Sequence, residues 1–336
     1  MQLPPIAATT VGSFPRPSWL AAPGRDIVTL LLEGDVLREA QDDATRLVLL
    51  EQERLGLDLV TDGEQRRTNF ISHALGGMDG FDVVNQRPKE IRRRPGNVQP
   101  VPRVVGPVRR RAATTVADTR FAVAHTGLPV KMAIPGPVTV VDSTYDEFYG
   151  DEAALAMDVA AAVNAELLEM QAAGCAVLQI DEPAMTRWHE KTAAYGARAL
   201  DRCLDGVTVP TLVHLCYGYP GGGTRQHEYE YPELIEILMA TRIGGFSLEF
   251  ARSGYDPALL RACGDRLVMF GCIDPSDVPT EPLEVVIGRI RAALRYVEPE
   301  RLLVAPDCGL MTISRALAHE KAARLVEAAR EARRTL

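Results

Sequence analysis

Short apolar runs alternate with longer amphipathic segments along this chain of 336 residues. The runs are apolar, mostly β-branched and short, which is typical of buried parallel strands. They lie at residues 6–12, 57–62, 129–135, 176–181, 210–216, 245–250, 267–272 and 301–306. The longer segments repeat apolar residues at helical spacing, and they lie at 34–56, 150–173, 231–242, 281–297 and 312–335. Eight such units predict an α/β fold, the closed (β/α)8 or TIM barrel.

An open, doubly wound sheet is the alternative arrangement of these elements. Such a sheet would carry a glycine-rich phosphate loop after its first strand. The three consecutive glycines at 221–223 instead follow the fifth strand and lack the GxGxxG spacing. We therefore expect a single (β/α)8 domain over residues 1–336. The glycine-rich segment 217–233 is expected to form a mobile loop after the fifth strand.

Residues 76–127 interrupt the alternation between the second and third predicted strands. The segment is rich in arginine and proline, and its pattern favours turns and a β-hairpin over a single helix. We expect a hairpin-like insertion on the side of the barrel where the strands end. It could serve as a solvated arm, a lid, a dimer arm or a basic surface for an anionic partner. A homodimer therefore stays open.

Charge and composition argue against two classes of protein. A formal net charge of −8 argues against a general nucleic-acid binder, which needs a clustered excess of Lys and Arg. The sequence has no uncharged apolar run of about 18 residues, so no membrane span is expected and the cytoplasm is the predicted location. The six cysteines lack the dense spacing of a disulfide framework. We expect them to be reduced thiols.

Four potential soft-metal ligands end predicted strands in the C-terminal half: His214 and Cys216 in VHLCYG, Glu249 in FSLEF and Cys308 in APDCGL. Strand side chains alternate, so the two ligands of an HxC pattern point to the same face. The carboxyl ends of barrel strands meet at one rim, where barrel enzymes keep their chemistry. If the four converge, two sulfurs, one nitrogen and one oxygen suit Zn²⁺. The alternative is independent packing roles.

Seven motifs occur in one order along the chain: TTVGSFP (9–15), DGEQRRTNF (62–70), IPGPVT (134–139), IDEPA (180–184), HLCYG (214–218), SLEF (247–250) and PDCGL (306–310). Together they resemble the catalytic domain of cobalamin-independent methionine synthase, from near residue 7 to near residue 325. The resemblance implies a (β/α)8 barrel, in agreement with the strand count. It also implies a zinc ion held by His214, Cys216, Glu249 and Cys308.

The resemblance further implies a zinc-dependent methyltransferase that moves a methyl group to homocysteine or a similar thiol. Glu64 and Asp181 would bind the substrate ammonium group, and Ser13 with its neighbouring backbone would bind the carboxylate. Each of the three could instead be a cap or an ion-pair partner. An alternative activity is a zinc-thiolate alkyltransferase or lyase acting on another electrophile, such as epoxide opening by a thiol. A non-catalytic zinc scaffold is a third hypothesis.

Two departures from the family concern the methyl donor. Ser143 stands where the family has a tryptophan that stacks on the pterin, and Tyr145 or Phe148 could replace that platform. Asp274 of CIDPS stands where the family has a catalytic histidine. A carboxylate is a poor general acid at neutral pH. We therefore assign Asp274 to the catalytic position, and we expect the donor to be methylcobalamin or a corrinoid protein, with methyl-folate as the alternative.

Overall fold

A ring of parallel strands forms the centre of the protein. The computed structural model describes residues 3–22, 29–91, 96–217 and 231–336. Within these ranges the strands are β1 (Ala7–Ala8), β2 (Ala21–Ala22), β3 (Thr29–Leu30), β4 (Met78–Glu90), β5 (Val98–Arg110), β6 (Lys131–Pro135), β7 (Tyr145–Asp146), β8 (Val177–Asp181), β9 (Thr211–Leu215), β10 (Gly245–Glu249), β11 (Leu267–Ile273) and β12 (Leu302–Pro306). The α-helices are α1 (Gly34–Leu55), α2 (Phe70–Leu75), α3 (Thr115–Ala124), α4 (Pro137–Asp142), α5 (Glu152–Ala172), α6 (His189–Lys191), α7 (Ala197–Cys203), α8 (Tyr231–Met239), α9 (Leu283–Ala293) and α10 (Arg315–Arg333).

The strand order closes the ring. Seven parallel strands follow one another as β1, β12, β11, β10, β9, β8 and β6. Residues 59–60 occupy the eighth position: Leu59 bridges Thr9 beside β1, and Val60 bridges Val130 beside β6. The prediction of a (β/α)8 barrel is therefore confirmed.

Burial on both faces explains why the strands were readable in the sequence. All five positions of β6, β8, β9, β10 and β12 are buried. Helices cover the outside of such a strand and side chains fill the barrel inside, so nearly every position is apolar.

The outer helices begin and end at residues of the expected kind. Asp151 caps α5 by accepting hydrogen bonds from the N–H groups of Ala153 and Ala154. Helix α1 ends at Gly56, whose φ of 84° is the left-handed conformation that glycine adopts most readily. The helices predicted at 34–56, 150–173, 231–242, 281–297 and 312–335 correspond to α1, α5, α8, α9 and α10.

The insertion contains an antiparallel hairpin of β4 and β5, joined on one edge by the short β7. Extended structure does not continue to residue 127, however, because α3 forms at Thr115–Ala124. Val116, Thr119 and Ala122 recur every third residue and are buried, which is the pattern of a packed helix. The expectation of turns and hairpin strands throughout 76–127 is corrected on this point.

The hairpin arm, β4 with β5, is bound to the barrel by hydrogen bonds and ion pairs. The Lys89 ammonium donates to the carbonyl oxygens of Val141 (2.9 Å) and Thr144 (2.7 Å), near the end of α4. Burial lowers the pKa of Lys89. Three arginines of the arm pair with carboxylates of the same protein: Arg87 with Glu147, Arg103 with Asp82 and Glu147, and Arg110 with Glu166 and Glu169. Arg111, directly after β5, pairs with Asp79. These ion pairs give the four arginines a structural role, whereas residues 92–95 with their three arginines lie outside the described residues and leave the basic-surface alternative a prediction.

The structure tests some of the remaining sequence predictions and not others. Most of the predicted loop 217–233, namely residues 218–230 with their three glycines, lies outside the described residues. Among the helices that are described, none has both the length and the apolar character needed to span a membrane. All six cysteines are free and buried. The single-domain boundaries, the cytoplasmic location and the homodimer stay predictions.

Candidate metal centre and active site

Three of the four predicted ligands converge at the carboxyl-terminal rim of the barrel. His214 lies in β9, Cys216 directly follows that strand, and Cys308 lies two residues beyond β12. One ligand atom from each falls within 4.8 Å of the other two, and all three residues are buried. The His214 Nε2 is 3.9 Å from the Cys308 Sγ. Residues separated by 94 positions in the sequence therefore form one compact nitrogen–sulfur cluster.

The orientation of His214 is fixed by the neighbouring strand. Its Nδ1 lies 2.8 Å from the hydroxyl of Ser247 in β10. This contact leaves Nε2 directed toward the cysteines, as in metal sites where a second hydrogen bond orients the ligating imidazole. Ser247 precedes Glu249 by two positions, so both point to the same face of β10.

Glu249 ends β10 beside the cluster but is not one of the three converging residues. Its Oε1 accepts a hydrogen bond from the backbone N–H of Tyr217 at 3.3 Å, directly after Cys216. The carboxylate is also close enough to help raise the pKa of Cys308. The structure therefore places Glu249 next to the cluster, with one carboxylate oxygen bound to the backbone after Cys216.

The electrostatics of the cluster suit a divalent cation. The hydrogen bond that the Cys308 thiol donates to Cys216, then burial, raises the pKa of Cys308 well above its usual value. Burial lowers the pKa of His214, but Cys216 outweighs it and the net pKa is raised. Two buried thiols and an imidazole thus compete for protons, and metal binding would displace those protons. The donor set of two sulfurs and one nitrogen fits Zn²⁺ with a fourth position to fill.

Asp181 and Glu64 lie near enough to interact electrostatically, and Asp181 is within electrostatic reach of His214 in the cluster. Asp181 ends β8, and the nearby His214 opposes the rise in its pKa that burial causes. Burial likewise raises the pKa of Glu64, Arg67 lowers it, and Asp181 raises it further. Glu64 has a left-handed backbone with a φ of 56°, which is uncommon outside glycine. Two buried carboxylates that close together provide a strong site for a cation such as a substrate ammonium group.

The loop after β1 completes this side of the rim. Ser13 is buried, and its carbonyl oxygen accepts the N–H of Leu310, two residues after Cys308, at 2.9 Å. A Cβ atom on Gly12 would lie only 2.7 Å from the Glu64 Oε1. The Glu64 carboxylate therefore rests directly against the Gly12 backbone. Sequence reasoning identified Ser13, and the structure brings it to the same rim as the cluster.

Asp274 follows β11, yet its carboxylate is engaged locally. Its Oδ1 accepts hydrogen bonds from the Ser276 N–H (2.8 Å) and hydroxyl (2.6 Å). The Arg252 guanidinium lies 3.8 Å away. Asp274 is also near enough to Asp307 to raise the pKa of that residue. This places it on the Cys308 side of the rim, in a turn that its own carboxylate stabilises.

Four residues of the site region were missed by sequence reasoning: Ser247, Asp307, Lys131 and Gln179. Ser247 and Gln179 each precede a predicted site residue by two positions on a strand, which is a usable signal because strand faces repeat every second residue. Lys131 sits in the apolar strand KMAIP, and a lysine there needs a buried partner.

Fold and site together define a barrel enzyme whose chemistry lies at the carboxyl ends of its strands. Residues 6–331 match the family described as "Cobalamin-independent synthase, Catalytic domain". The chain belongs to this family, the cobalamin-independent methionine synthases, and its activity class is methyltransferase.

Individual relatives cover the whole chain. It is 31% identical over 341 residues to a methionine synthase of Sulfurisphaera tokodaii, covering 100% of this chain and 95% of that protein. It is 28% identical over 339 residues to one of Pyrococcus abyssi, with the same two coverages. Among solved structures, a B12-independent methionine synthase from Shewanella sp. W3-18-1 in complex with selenomethionine superposes with a TM-score of 0.94 at 33% identity, covering 98% of both chains.

Proposed function

We propose that this protein transfers a methyl group to the thiol of homocysteine, with zinc held by His214, Cys216 and Cys308. One observation carries the proposal: the three ligand atoms lie within 4.8 Å of one another, beside the carboxylates of Asp181 and Glu64. The site thus offers one position for a sulfur and an adjacent one for an ammonium group. Homocysteine carries both groups on a short chain.

The metal half of the site prepares the sulfur. A zinc ion bound here would lower the pKa of an approaching thiol, so that it reacts as a thiolate at neutral pH. His214, oriented by Ser247, and the two cysteines would hold the ion. Glu249, whose carboxylate accepts the N–H of Tyr217 directly after Cys216, would be the fourth ligand. Two thiolate ligands would make the ion a weak Lewis acid, which suits sulfur activation better than hydroxide formation.

The amino-acid half of the site orients the substrate. Glu64 and Asp181 would bind the α-ammonium group, and Ser13 with the backbone around Gly12 would bind the α-carboxylate. Holding both ends of the amino acid fixes the direction in which its sulfur attacks, which is the main way that proximity accelerates a two-substrate reaction. The complex of the Shewanella relative with selenomethionine supports this assignment, because selenomethionine is an analogue of the methylated product.

The transfer balances without a further reactant. The sulfur–methyl bond forms as the bond between the methyl group and the donor breaks. The donor keeps the electron pair and takes up one proton, which balances the proton that the homocysteine thiol releases. We assign Asp274 to proton handling at the donor side. Its contacts with Ser276 and Arg252 make it a positioning group for that turn as well.

The corrinoid donor expected from the sequence has no support in the family, which is described as cobalamin-independent. Methyl-folate is therefore the donor in this proposal. The alternative activity, thiol alkylation on a different electrophile such as an epoxide, would use a thiol without an amino group. Arg67 lies 3.9 Å from the Glu64 carboxylate, and Lys131 lowers the pKa of both Glu64 and Asp181. The two carboxylates still favour a substrate with an amino group, because a thiol without one would bring no positive charge to them.

An assay of purified protein tests the proposal. We expect methionine from homocysteine and methyl-folate, with about one zinc per chain and loss of activity on chelation. Methylcobalamin and a thiol lacking the α-amino group serve as comparison arms. Methionine formed from methylcobalamin alone would overturn the donor assignment. A metal-free protein with full activity would overturn the zinc mechanism.

A further inference from the structure

A buried lysine connects the two ends of the proposed amino-acid site. Lys131 lies in β6 and has no exposed surface. Its Nζ donates to the carbonyl oxygen of Val11 and to the Oε1 of Gln179, each at 2.5 Å. The Gln179 Nε2 in turn donates to the Asp181 Oδ1 at 2.7 Å. One chain of hydrogen bonds thus runs from the loop before Gly12 to the carboxylate of Asp181.

The donor and acceptor groups fix which partner donates in each hydrogen bond of this series. An ammonium group only donates hydrogen bonds, so the Gln179 oxygen must face Lys131 and the Gln179 amino group must face Asp181. Burial lowers the pKa of Lys131 to about 8, which leaves the ammonium protonated at pH 7. The amide orientation of Gln179 is therefore imposed by Lys131 rather than chosen freely.

The orientation of Gln179 affects the residue that would bind the substrate amine, Asp181. A Gln179 oxygen turned toward Asp181 would repel its carboxylate, whereas the amino group stabilises it and holds one of its two oxygens. We infer that Lys131 is a positioning residue that acts through Gln179 to hold Asp181 for the α-ammonium group of the amino-acid substrate. The same ammonium, through Val11, holds the loop that carries Gly12 and Ser13. This inference rests on the proposed function.

Strand pairing places Lys131, Gln179 and Asp181 on neighbouring strands of the barrel. Lys131 and Gln179 belong to the adjacent strands β6 and β8, with Ala133 paired to Gln179 in register. Lys131 and Ala133 share one face of β6, and Gln179 and Asp181 share one face of β8.

A lysine with a structural role alone would only neutralise nearby carboxylates. A positioning lysine must also affect how the ligand's amine is bound, and the two roles differ in what they predict.

Binding of two ligands that differ only in the amine separates these roles. The probes are L-methionine and 4-(methylthio)butanoate, which lacks the α-amino group, titrated calorimetrically into zinc-loaded protein. For K131M and Q179E we expect the Kd of L-methionine to rise about tenfold, since a hydrogen bond to a charged group is lost. In Q179E, which leaves the Lys131–Val11 hydrogen bond in place, the Kd of the des-amino acid is expected to change less than about twofold. In K131M, which also removes the contact with the Gly12–Ser13 loop, it is expected to rise less than the Kd of L-methionine. In kinetics, the KM for homocysteine should rise more than kcat falls.

A double-mutant cycle and a control complete the test. The cycle compares K131M, Q179L and the two combined, and the double variant should weaken L-methionine binding no more than the larger single change, because both act through one contact. The matched control is N164L, which removes a buried side chain that donates to Cys203 (2.8 Å) and Asp205 (2.7 Å) far from the rim. It should lower stability but leave both ligands bound as in wild type. Q179E keeps the test possible if K131M does not fold.

The outcomes separate the inference from the function beneath it. Equal weakening of both ligands, or no weakening of either, would overturn the positioning role of Lys131 while leaving the proposed function in place. A folded, zinc-loaded wild type that binds neither ligand would overturn the proposed function and the inference with it.

Discussion

The carboxylate of Asp307 accepts a hydrogen bond from the backbone N–H of Phe250 at 2.9 Å. The same carboxylate accepts the next two N–H groups, from Ala251 (2.9 Å) and Arg252 (2.7 Å). Phe250 directly follows Glu249, and Asp307 directly precedes Cys308. One side chain therefore joins the backbone beside two of the predicted metal ligands across the rim.

Asp307 should consequently control metal affinity without touching the metal. Asp307→Asn replaces one accepting oxygen by an NH₂ group, so at least one of the three N–H groups loses its partner. We expect zinc affinity to fall about 10–100-fold, as is usual when an outer hydrogen bond of a metal site is removed. Competition with a chromophoric chelator measures this directly.

Asp256→Asn is the matched control for that substitution. Asp256 also accepts a backbone N–H, from Ala258 at 2.9 Å, but it begins a surface turn of 3-10 helix. It should leave zinc affinity unchanged. An Asp307→Asn protein with wild-type zinc affinity would show that the three hydrogen bonds serve folding alone.

The ligand cysteines should behave unlike the other buried cysteines. Cys216→Ser and Cys308→Ser each remove a soft ligand from the three-atom cluster, so we expect protein without zinc after dialysis and activity reduced more than about 100-fold. Cys263→Ser is the control, because Cys263 is equally free and buried but lies in the helical turn before β11. Elemental analysis of the dialysed proteins measures how much zinc each variant retains. Zinc retained by Cys308→Ser would exclude Cys308 as a ligand.

Glu249 should contribute less to metal retention than either cysteine. Its carboxylate accepts the Tyr217 N–H and is not among the three converging residues. Glu249→Gln keeps an oxygen acceptor for that N–H but removes the charge. We expect this variant to retain zinc after dialysis, with a faster loss to chelator than wild type. Complete loss of zinc, as in the cysteine variants, would make Glu249 an essential ligand.

The parts of the fold and site that the sequence predicted are those with a local signature. Strands buried on both faces appear as short apolar runs, and ligands such as His214 and Cys216 end them. Lys131 and Gln179 have only weak signatures, and the sequence does not identify their contacts: Lys131 binds Val11, 120 positions away, and Gln179, 48 positions away. Asp307 binds backbone N–H groups, which every residue possesses, so the sequence does not identify what it contacts. Glu249 was correctly placed at a strand end, but its side-chain direction depends on Tyr217.

Gly12 should separate substrate binding from folding. A Cβ added at this position would lie 2.7 Å from the Glu64 Oε1, which is the end of a flexible side chain and can move. Gly12→Ala is therefore expected to fold but to displace the carboxylate, raising the KM for homocysteine about tenfold. Steady-state kinetics with thermal unfolding measure both properties.

Gly288→Ala controls for the general effect of adding a methyl group. A Cβ at Gly288 would meet nothing within 4 Å among the described residues, and the position lies inside α9. It should leave the KM unchanged and raise the stability slightly, as alanine does in helices. An unchanged KM in Gly12→Ala would contradict the placement of Glu64 in the amine site.

Glu182 should make stability fall as pH rises through neutrality. It is buried and accepts hydrogen bonds from the N–H groups of Val138 (2.9 Å) and Thr139 (2.8 Å) and from the Thr139 hydroxyl (2.6 Å). Burial outweighs these donors and raises its pKa from 4.5 to about 7. Between those two values the folded state binds more protons than the unfolded state. The stabilisation is therefore complete below pH 4.5 and is lost as pH rises through about 7.

Denaturant unfolding of metal-free protein between pH 4 and pH 8 measures this effect. The difference in unfolding free energy between wild type and Glu182→Gln should decrease with rising pH, by at most about 3 kcal/mol. The difference in unfolding free energy between wild type and Asp201→Asn should change with pH in the opposite direction, because hydrogen bonds from Arg242 lower the pKa of Asp201 below 3.8. Its contribution is present above that value and is lost as pH falls. A pH-independent difference for Glu182→Gln would mean that the carboxyl group has the same pKa in the folded and unfolded chains.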